Sequence, residues 1–434
     1  MRIAIRGGLA TAMGNVALMA ANLARDISIS RVLGVTALSD VVFLALSLPV
    51  FVVMVATISF RNASVPFVER VMRASGPGEA ASCISHLLLL AFAGFAGLAL
   101  VIGVAAPFAA PLFENGHFDA RATAHILAMC LPMFVVSGLA MMLEGPLQAN
   151  GRFLAPAVLK ALMPLGFACG LFAGAGSDPI VWGIVGGHLG AVAQCLSTAF
   201  LASRVGLSAP ARWRLQRPEL GAFRSQFGYL VLAGSIAYLN PVINQWMATP
   251  LGAGAVSTLS YATRLSSGVA TLAVSSIMPA LLAQFSRIAA SSDRGALAAS
   301  YRKSCALVLG ISVAAVVGTW VLAEPVVRML YQGDAIEHHE TDAIVRFLRI
   351  SILQLIPLSL GTCANAMLSA TAHNRIFAWV GALMVVTNVL GNLVFIRFFG
   401  LDGMAISTIV MYCCSMTLIN VYLVRNRVLA MGAG

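Results

Sequence analysis

Apolar residues run along this chain in blocks of about twenty, the length an α-helix needs to cross a bilayer core. On that ruler the pattern predicts about twelve membrane-spanning helices. They fall at residues 8–24, 38–60, 84–107, 123–146, 154–174, 181–203, 226–249, 257–282, 304–323, 344–369, 377–396 and 403–423. One stretch interrupts the apolar rhythm. Leu23–Pro49, LARDISISRVLGVTALSDVVFLALSLP, puts Arg25, Asp26 and Arg31 between the first two spans and Asp40 at the start of the second. A charge at membrane depth costs about 2.5–3.5 kcal/mol on insertion scales, so it faces a partner or a watery cavity. The stretch is therefore either a wet loop between two spans or the lining of a polar cavity inside the bundle.

Composition turns the periodicity into a class. Of 434 residues, 59% are hydrophobic and 10% charged, with a mean hydropathy of +0.91. Soluble domains carry about 25% charged residues, so the expected fold is an all-α polytopic membrane protein. Arg2 and Arg6 before an apolar run ending ALMAANLA resemble a cleavable signal peptide. That run feeds directly into the charged stretch, which favours reading it as the first span. The net charge of +11 would suit nucleic acid in a soluble protein. Here loop arginines on the cytoplasmic side explain it, and no nucleic-acid partner is expected. With the N-terminus inside, that side collects Arg61, Arg70, Arg73, Arg152, Arg204 and the run from Arg212 to Arg224, while acidic residues gather in Glu324–Asp342. Both termini are then cytoplasmic.

The pattern also repeats. LGVTALSDVVFLALSLP from Leu33 aligns with LGAGAVSTLSYATRLSS from Leu251, and LEGPLQANGRFLAPAV from Leu143 with AMLSATAHNRIFAWVG from Ala366. APLFENG from Ala110 echoes VRMLYQG from Val327. Such steady offsets predict two six-helix halves, 1–203 and 226–434, joined by a basic linker at 204–225 with Trp213 as an interfacial anchor. An even number of spans per half makes this a parallel repeat, an arrangement in which transporters bind substrate between halves that rock around it.

The repeat sets Asp40 opposite Thr258 and places Arg264 early in the eighth span. Arg25, Arg31 and Arg264 are suited to a diphosphate, because the guanidinium fork matches phosphate geometry and stays charged. Asp26 and Asp40 would balance them in the empty protein. The bland alternative is a surface ion cluster capping the first two spans. Glu144 and Lys160 could pair across the Asn150–Gly151–Arg152 turn, but a helix-end snorkel is the commoner arrangement and is the reading favoured. Asn240 with Asn244, and Asn388 with Asn392, are spaced four apart on helix faces. They suit either a monovalent cation or interhelical hydrogen bonds, the second being commoner. His188 is expected to pack against Gly186 and Gly187. His338 and His339 read as a solvated outer loop, and the eight cysteines, mostly within apolar runs and without a CxxC pair, as small hydrophobes. Walker, HExxH and GxSxG signatures are absent, so no cofactor and no enzymatic activity are expected. Work must come from the membrane potential, a monovalent ion gradient or the substrate gradient.

Leu23–Pro66 carries an Arg-Asp pair, an Arg-x-x-Gly turn, an aspartate entering the second span, a Leu-Pro and a closing Val-Pro. In this it resembles the MurJ (MviN) lipid II flippases of the multidrug and oligosaccharidyl-lipid exporter superfamily. The likeness continues through Leu143–Pro156, Asn240–Arg264 and Leu330–Gly333, in order and over nearly the whole chain. It implies two six-span halves around a central cavity in a bacterial inner membrane, with Arg25, Asp26, Arg31, Asp40 and Arg264 on positions the family uses for the lipid diphosphate. It further implies a lipid-linked saccharide as substrate, surrounding membrane lipids and envelope-synthesis proteins as partners, and a place in peptidoglycan biosynthesis. Val53 and Met54 stand where the family carries an arginine pair, Met19 where it carries an arginine, and Thr263 where an aspartate precedes Arg264. The twelve spans leave out two further ones the family commonly carries. These departures fit a relative handling another polyprenyl-diphosphate-linked glycan. The expected function is a flippase for such a lipid, with a drug antiporter of the same superfamily, a membrane glycan enzyme, or a non-transporting scaffold as rivals.

Overall fold

The computed structural model describes residues 2–110, 119–207, 218–275, 278–290, 294–333, 335–336, 338–371 and 376–426. Within them the chain is helical throughout, and ten helices are long and apolar enough to cross a membrane. The chain divides into two compact units. The first holds Met1–Val242 together with Gly252–Gly254 and Gly333–Ala335, and the second holds the remainder.

The first unit contains α1 (Arg2–Leu33), α2 (Ala37–Ser75), α3 (Pro77–Ala109), α4 (Ala120–Met142), α5 (Glu144–Ala149), α6 (Leu154–Leu159), α7 (Leu162–Ala173), α8 (Pro179–Arg204) and α9 (Pro218–Tyr238). Local chemistry fixes several of the starts. The Thr36 hydroxyl accepts from the Ser39 amide while the Ser39 hydroxyl accepts from the Thr36 amide, a reciprocal cap that opens α2. Asp119 and Asp178 cap α4 and α8 through their carboxylates, with Pro179 in the first position of α8. The segments expected as single spans at 123–146 and 154–174 each form one candidate span, Ala120–Ala149 and Leu154–Ala173, with a local irregularity inside. α4 gives way to α5 at Leu143, and α6 to α7 at Lys160–Ala161.

Small residues set the spacing of this unit. A Cβ on Gly166 would lie 2.3 Å from the Gly186 carbonyl oxygen, and one on Gly170 would lie 2.1 Å from that of Trp182. α7 and α8 therefore meet backbone to backbone, as transmembrane helices do through small residues. Gly186 and Gly187 face α7 and Met133, while His188 instead places Nδ1 2.8 Å from the Ile184 carbonyl of its own helix.

The second unit contains α10 (Asn240–Ala248, entered from the first unit), α11 (Ala255–Ala270), α12 (Met278–Ala290), α13 (Arg294–Tyr331), α14 (His338–Ser351), α15 (Leu355–Ala370), α16 (Ile376–Phe399) and α17 (Asp402–Arg425). Its core gathers Phe285, Tyr301, Cys363, Met367, Ile419 and Leu423. The Tyr301 hydroxyl donates to Asn420 Oδ1 at 2.7 Å, and Cys305 and Cys363 touch at 3.6 Å as free thiols.

Two expectations shift here. The span at 257–282 is not one helix: α11 passes into a π-helical turn, Thr271–Ser275, before α12 begins. Serines and Arg264 leave α11 too short and too polar to cross alone. The outer loop read as Glu324–Asp342 is mostly helix, since α13 continues through Pro325 to Tyr331 and α14 starts at His338. The span at 8–24 lies inside α1, which is 32 residues long but carries Arg25, Asp26 and Arg31 and is not among the ten apolar helices. Trp213 and the centre of the 204–225 linker lie outside the described residues, as do most of the Ala110–Gly116 segment and residues 372–375.

Candidate functional site

The charged stretch forms the end of α1 and the turn into α2. Arg25 and Asp26 are buried, Asp26 completely. The Arg25 guanidinium folds back along its helix and gives Asp26 Oδ1 two hydrogen bonds, from Nε at 3.1 Å and from Nη2 at 2.8 Å. Adjacent positions on a helix do not face each other, so the contact depends on the reach of the arginine. Both charges are thereby kept within a buried helix without either standing alone.

Past Arg31, which is exposed, the helix stops at Gly34, whose φ of 70° is open to glycine at little cost. Two segments from far along the chain, belonging to this same unit, close over the turn. Asp40 Oδ2 accepts a 2.7 Å hydrogen bond from the Gly254 amide. A side chain on Gly254 would strike Val35, and Gly333 sits beside Arg31, its Cβ position 3.7 Å from Arg31 Cγ. The structure thus joins Arg25 to Asp26 and ties the buried Asp40 to the Gly252–Gly254 segment. The stretch is mostly helix, with Arg25, Asp26 and Asp40 buried and Arg31 exposed, and not a wet loop between two spans.

The internal repeat is visible in these local details. Gly34 and Gly252, 218 residues apart, both have positive φ, and α2 and α11 begin at Ala37 and Ala255 with the same separation. Thr258, opposite Asp40 in the repeat, is buried. Arg264 lies half-buried on α11 in the second unit, two helical turns before the π-helical segment. One turn earlier Tyr261 packs its ring against Tyr331, centroids 4.8 Å apart.

The asparagines form a network. Within the second unit, Asn392 Nδ2 donates to Asn244 Oδ1 at 2.8 Å and lies 3.5 Å from both Asn388 Oδ1 and Met247 Sδ. Asn388 and Asn392 are fully buried, and Ser407 donates to the Asn388 carbonyl. Asn244, Asn388 and Asn392 therefore come together, as interhelical hydrogen bonding between α10 and α16 requires, whereas Asn240 belongs to the first unit.

One ion pair is buried more deeply than its helix-end position suggests. Glu144 and Lys160 are both buried, and the Lys160 ammonium bonds both carboxylate oxygens, at 3.1 and 3.2 Å. Gln148 donates to the same carboxylate, and Arg61 from α2 approaches it at 3.7 Å. The snorkel reading is wrong for this pair: α2 covers it, so Lys160 turns inward. The acid opens α5 and the base closes α6, which places the pair at the two helix breaks. The signal available in sequence was a carboxylate and the chain's single intramembrane lysine flanking one tight turn.

Gln332 Nε2 lies 3.3 Å from His338 Nδ1 at the start of α14. Among the described residues no group of three or more His, Cys, Asp or Glu is arranged to hold a metal ion.

Comparison with known proteins adds a family. A family model described as Lipid II flippase MurJ matches residues 29–433. A probable lipid II flippase MurJ of Rhizobium tropici is 25% identical over 341 residues, covering 75% of this chain and 63% of the relative. One from Rhizobium meliloti is 24% identical over 343 residues, with the same coverage. The chain thus spans a little under two thirds of the length of these curated relatives. Among solved structures, a lipid II flippase MurJ in an inward closed conformation superposes with a TM-score of 0.79 at 18% identity, covering 97% of this chain and 87% of the other. An inward-facing multidrug resistance MATE family transporter of the MOP superfamily gives 0.69 at 15% identity, covering 98% and 100%. At these identities the structural likeness establishes the fold.

Proposed function

This chain belongs to the lipid II flippase MurJ family, and from that premise we propose that it moves a polyprenyl-diphosphate-linked saccharide across the bacterial cytoplasmic membrane. The observation that carries the reading is the family match over residues 29–433, which takes in Arg31, Asp40 and Arg264 and begins just after the Arg25–Asp26 pair. In the first unit Arg25 and Arg31 are the proposed diphosphate contacts, with Asp26 and Asp40 holding charge and geometry when the lipid is absent. In the second unit Arg264 is the proposed contact. Guanidinium groups suit this task because they present paired donors to phosphate oxygens and stay protonated. Asp26 already occupies two donors of Arg25, so Arg31, exposed at the turn, is the arginine that engages a phosphate without breaking an ion pair to do so.

The two six-helix halves and the basic linker between them form the frame for alternating access, with both termini in the cytoplasm as the arginine distribution indicates. The membrane potential supplies work of about 2.3 kcal/mol per charge moved through 100 mV, and the Asn244–Asn388–Asn392 network holds α10 to α16 during the motion. The substrate is lipid II or a related lipid-linked glycan precursor.

Native mass spectrometry of the purified protein with lipid II and with a simpler polyprenyl diphosphate tests this. Wild type is expected to retain both lipids, and Arg31→Ala and Arg264→Ala to lose them while keeping the wild-type gel-filtration profile. Equal lipid retention by the variants would remove the arginines from the account.

A further inference from the structure

An apolar groove lies along one side of the first unit, apart from the charged turn. Its floor is α2, which contributes Phe51, Val55 and Phe60. One wall is α3, through Leu87, Ala91, Gly94 and Leu98, a single helix face at three- and four-residue spacing. The other wall is α9, through Phe227, Val231 and Ser235, again four residues apart. The cavity measures about 470 Å³, and a Cβ added at Gly94 meets nothing within 4 Å. Aromatic rings close one end: Phe223 lies edge-on to Phe60 at 5.8 Å and stacks on Phe227 at 5.9 Å. Beside them, at the rim, stands the exposed Arg224.

The geometry points to a binding site for one acyl chain of an anionic phospholipid of the cytoplasmic leaflet, its tail along α2 and its head group at Arg224. Three features select that occupant. From Phe223 to Ser235 the α9 wall runs about 18 Å at 1.5 Å per residue. That is close to one leaflet, half of a hydrocarbon core about 30 Å thick. Among the described residues, the only charged side chain lining the groove is that of Arg224, at one end. Arg61, Arg70 and Arg73 lie on the same end of α2, and basic residues at the cytoplasmic interface attract anionic head groups. A polyprenyl chain would outrun a groove one leaflet deep. The inference rests on the orientation proposed above and not on the identity of the transported lipid.

The test uses vesicles of phosphatidylcholine containing phosphatidylglycerol with a photoactivatable group in its acyl chain. Cross-linked peptides are mapped by mass spectrometry. Labelling is expected on the facing segments of α2, α3 and α9 in excess of that on Leu189 and Leu196, which lie exposed on α8. Unlabelled phosphatidylglycerol should compete and phosphatidylcholine should not. Gly94→Leu, which fills space where no atom stands, should abolish groove labelling and leave α8 labelling intact. Arg224→Glu should remove the preference for phosphatidylglycerol. Labelling no greater than on α8, or unchanged in both variants, overturns the site. Displacement of the probe by a polyprenyl diphosphate but not by phosphatidylglycerol overturns its occupant and gives the groove to the substrate's tail.

Discussion

Glu144→Ala is expected to destabilise the first unit by about 3–5 kcal/mol, the cost of leaving a buried charge without its partner. The carboxylate is bonded through both oxygens by Lys160 and is also met by Gln148 and Arg61. Without it the Lys160 ammonium has no counter-charge at a point where the protein excludes water. Lys160→Met leaves the mirror-image fault, softened because Arg61 already leans on the carboxylate. The double variant Glu144→Met with Lys160→Met should recover most of the loss, since replacing both members of a buried pair by apolar groups is often neutral. Arg61 can follow because its side chain is 31% exposed and reaches water. Thermal unfolding of the purified protein, followed by loss of the monodisperse gel-filtration peak, measures all three. A double variant as unstable as Glu144→Ala would show that the helix breaks need the charges themselves.

The second large effect is expected at the α7–α8 contact. With the Gly186 carbonyl 2.3 Å from the Cβ position of Gly166, and the Gly166 carbonyl 2.1 Å from that of Gly186, neither position has room for a methyl group. Gly186→Val must part the two backbones and give up the close packing that stands in for hydrophobic driving force between helices in lipid. Overpacking costs about 1–3 kcal/mol where the surroundings can shift and more where they cannot. Here the obstacle is backbone, so the upper end is expected. Gly310→Ala on α13, where an added Cβ meets nothing within 4 Å, is the control and should leave the unfolding temperature unchanged or raised. Equal effects at the two positions would make the loss a matter of helix propensity and not of contact.

Local signals carried far into this fold. Thr36 and Ser39, three residues apart before an apolar run, mark the start of α2, and the repeat offset carries that start to Ala255. The Arg25–Asp26 contact lies between chain neighbours and could be anticipated from residue type. The distant contacts could not. Lys160 turns inward because α2 covers Glu144, and no spacing between residues 61 and 144 announces that. Asn244 meets Asn392 across 148 positions. Asp40, expected to balance arginines, also accepts from the amide of Gly254, 214 residues away. The span at 257–282 failed for a different reason. Hydropathy averages over a window, so it joins α11 to α12 across the π-helical turn between them.

The most direct test of the central claim is translocation itself. The protein is reconstituted into vesicles with lipid II labelled on its head group, and arrival of the label on the opposite leaflet is followed with an impermeant quencher. Wild type should move the label well above protein-free vesicles, and Arg31→Ala and Arg264→Ala should fall to that background while remaining folded and inserted. Wild-type vesicles no faster than protein-free ones, or arginine variants as fast as wild type, would contradict the account.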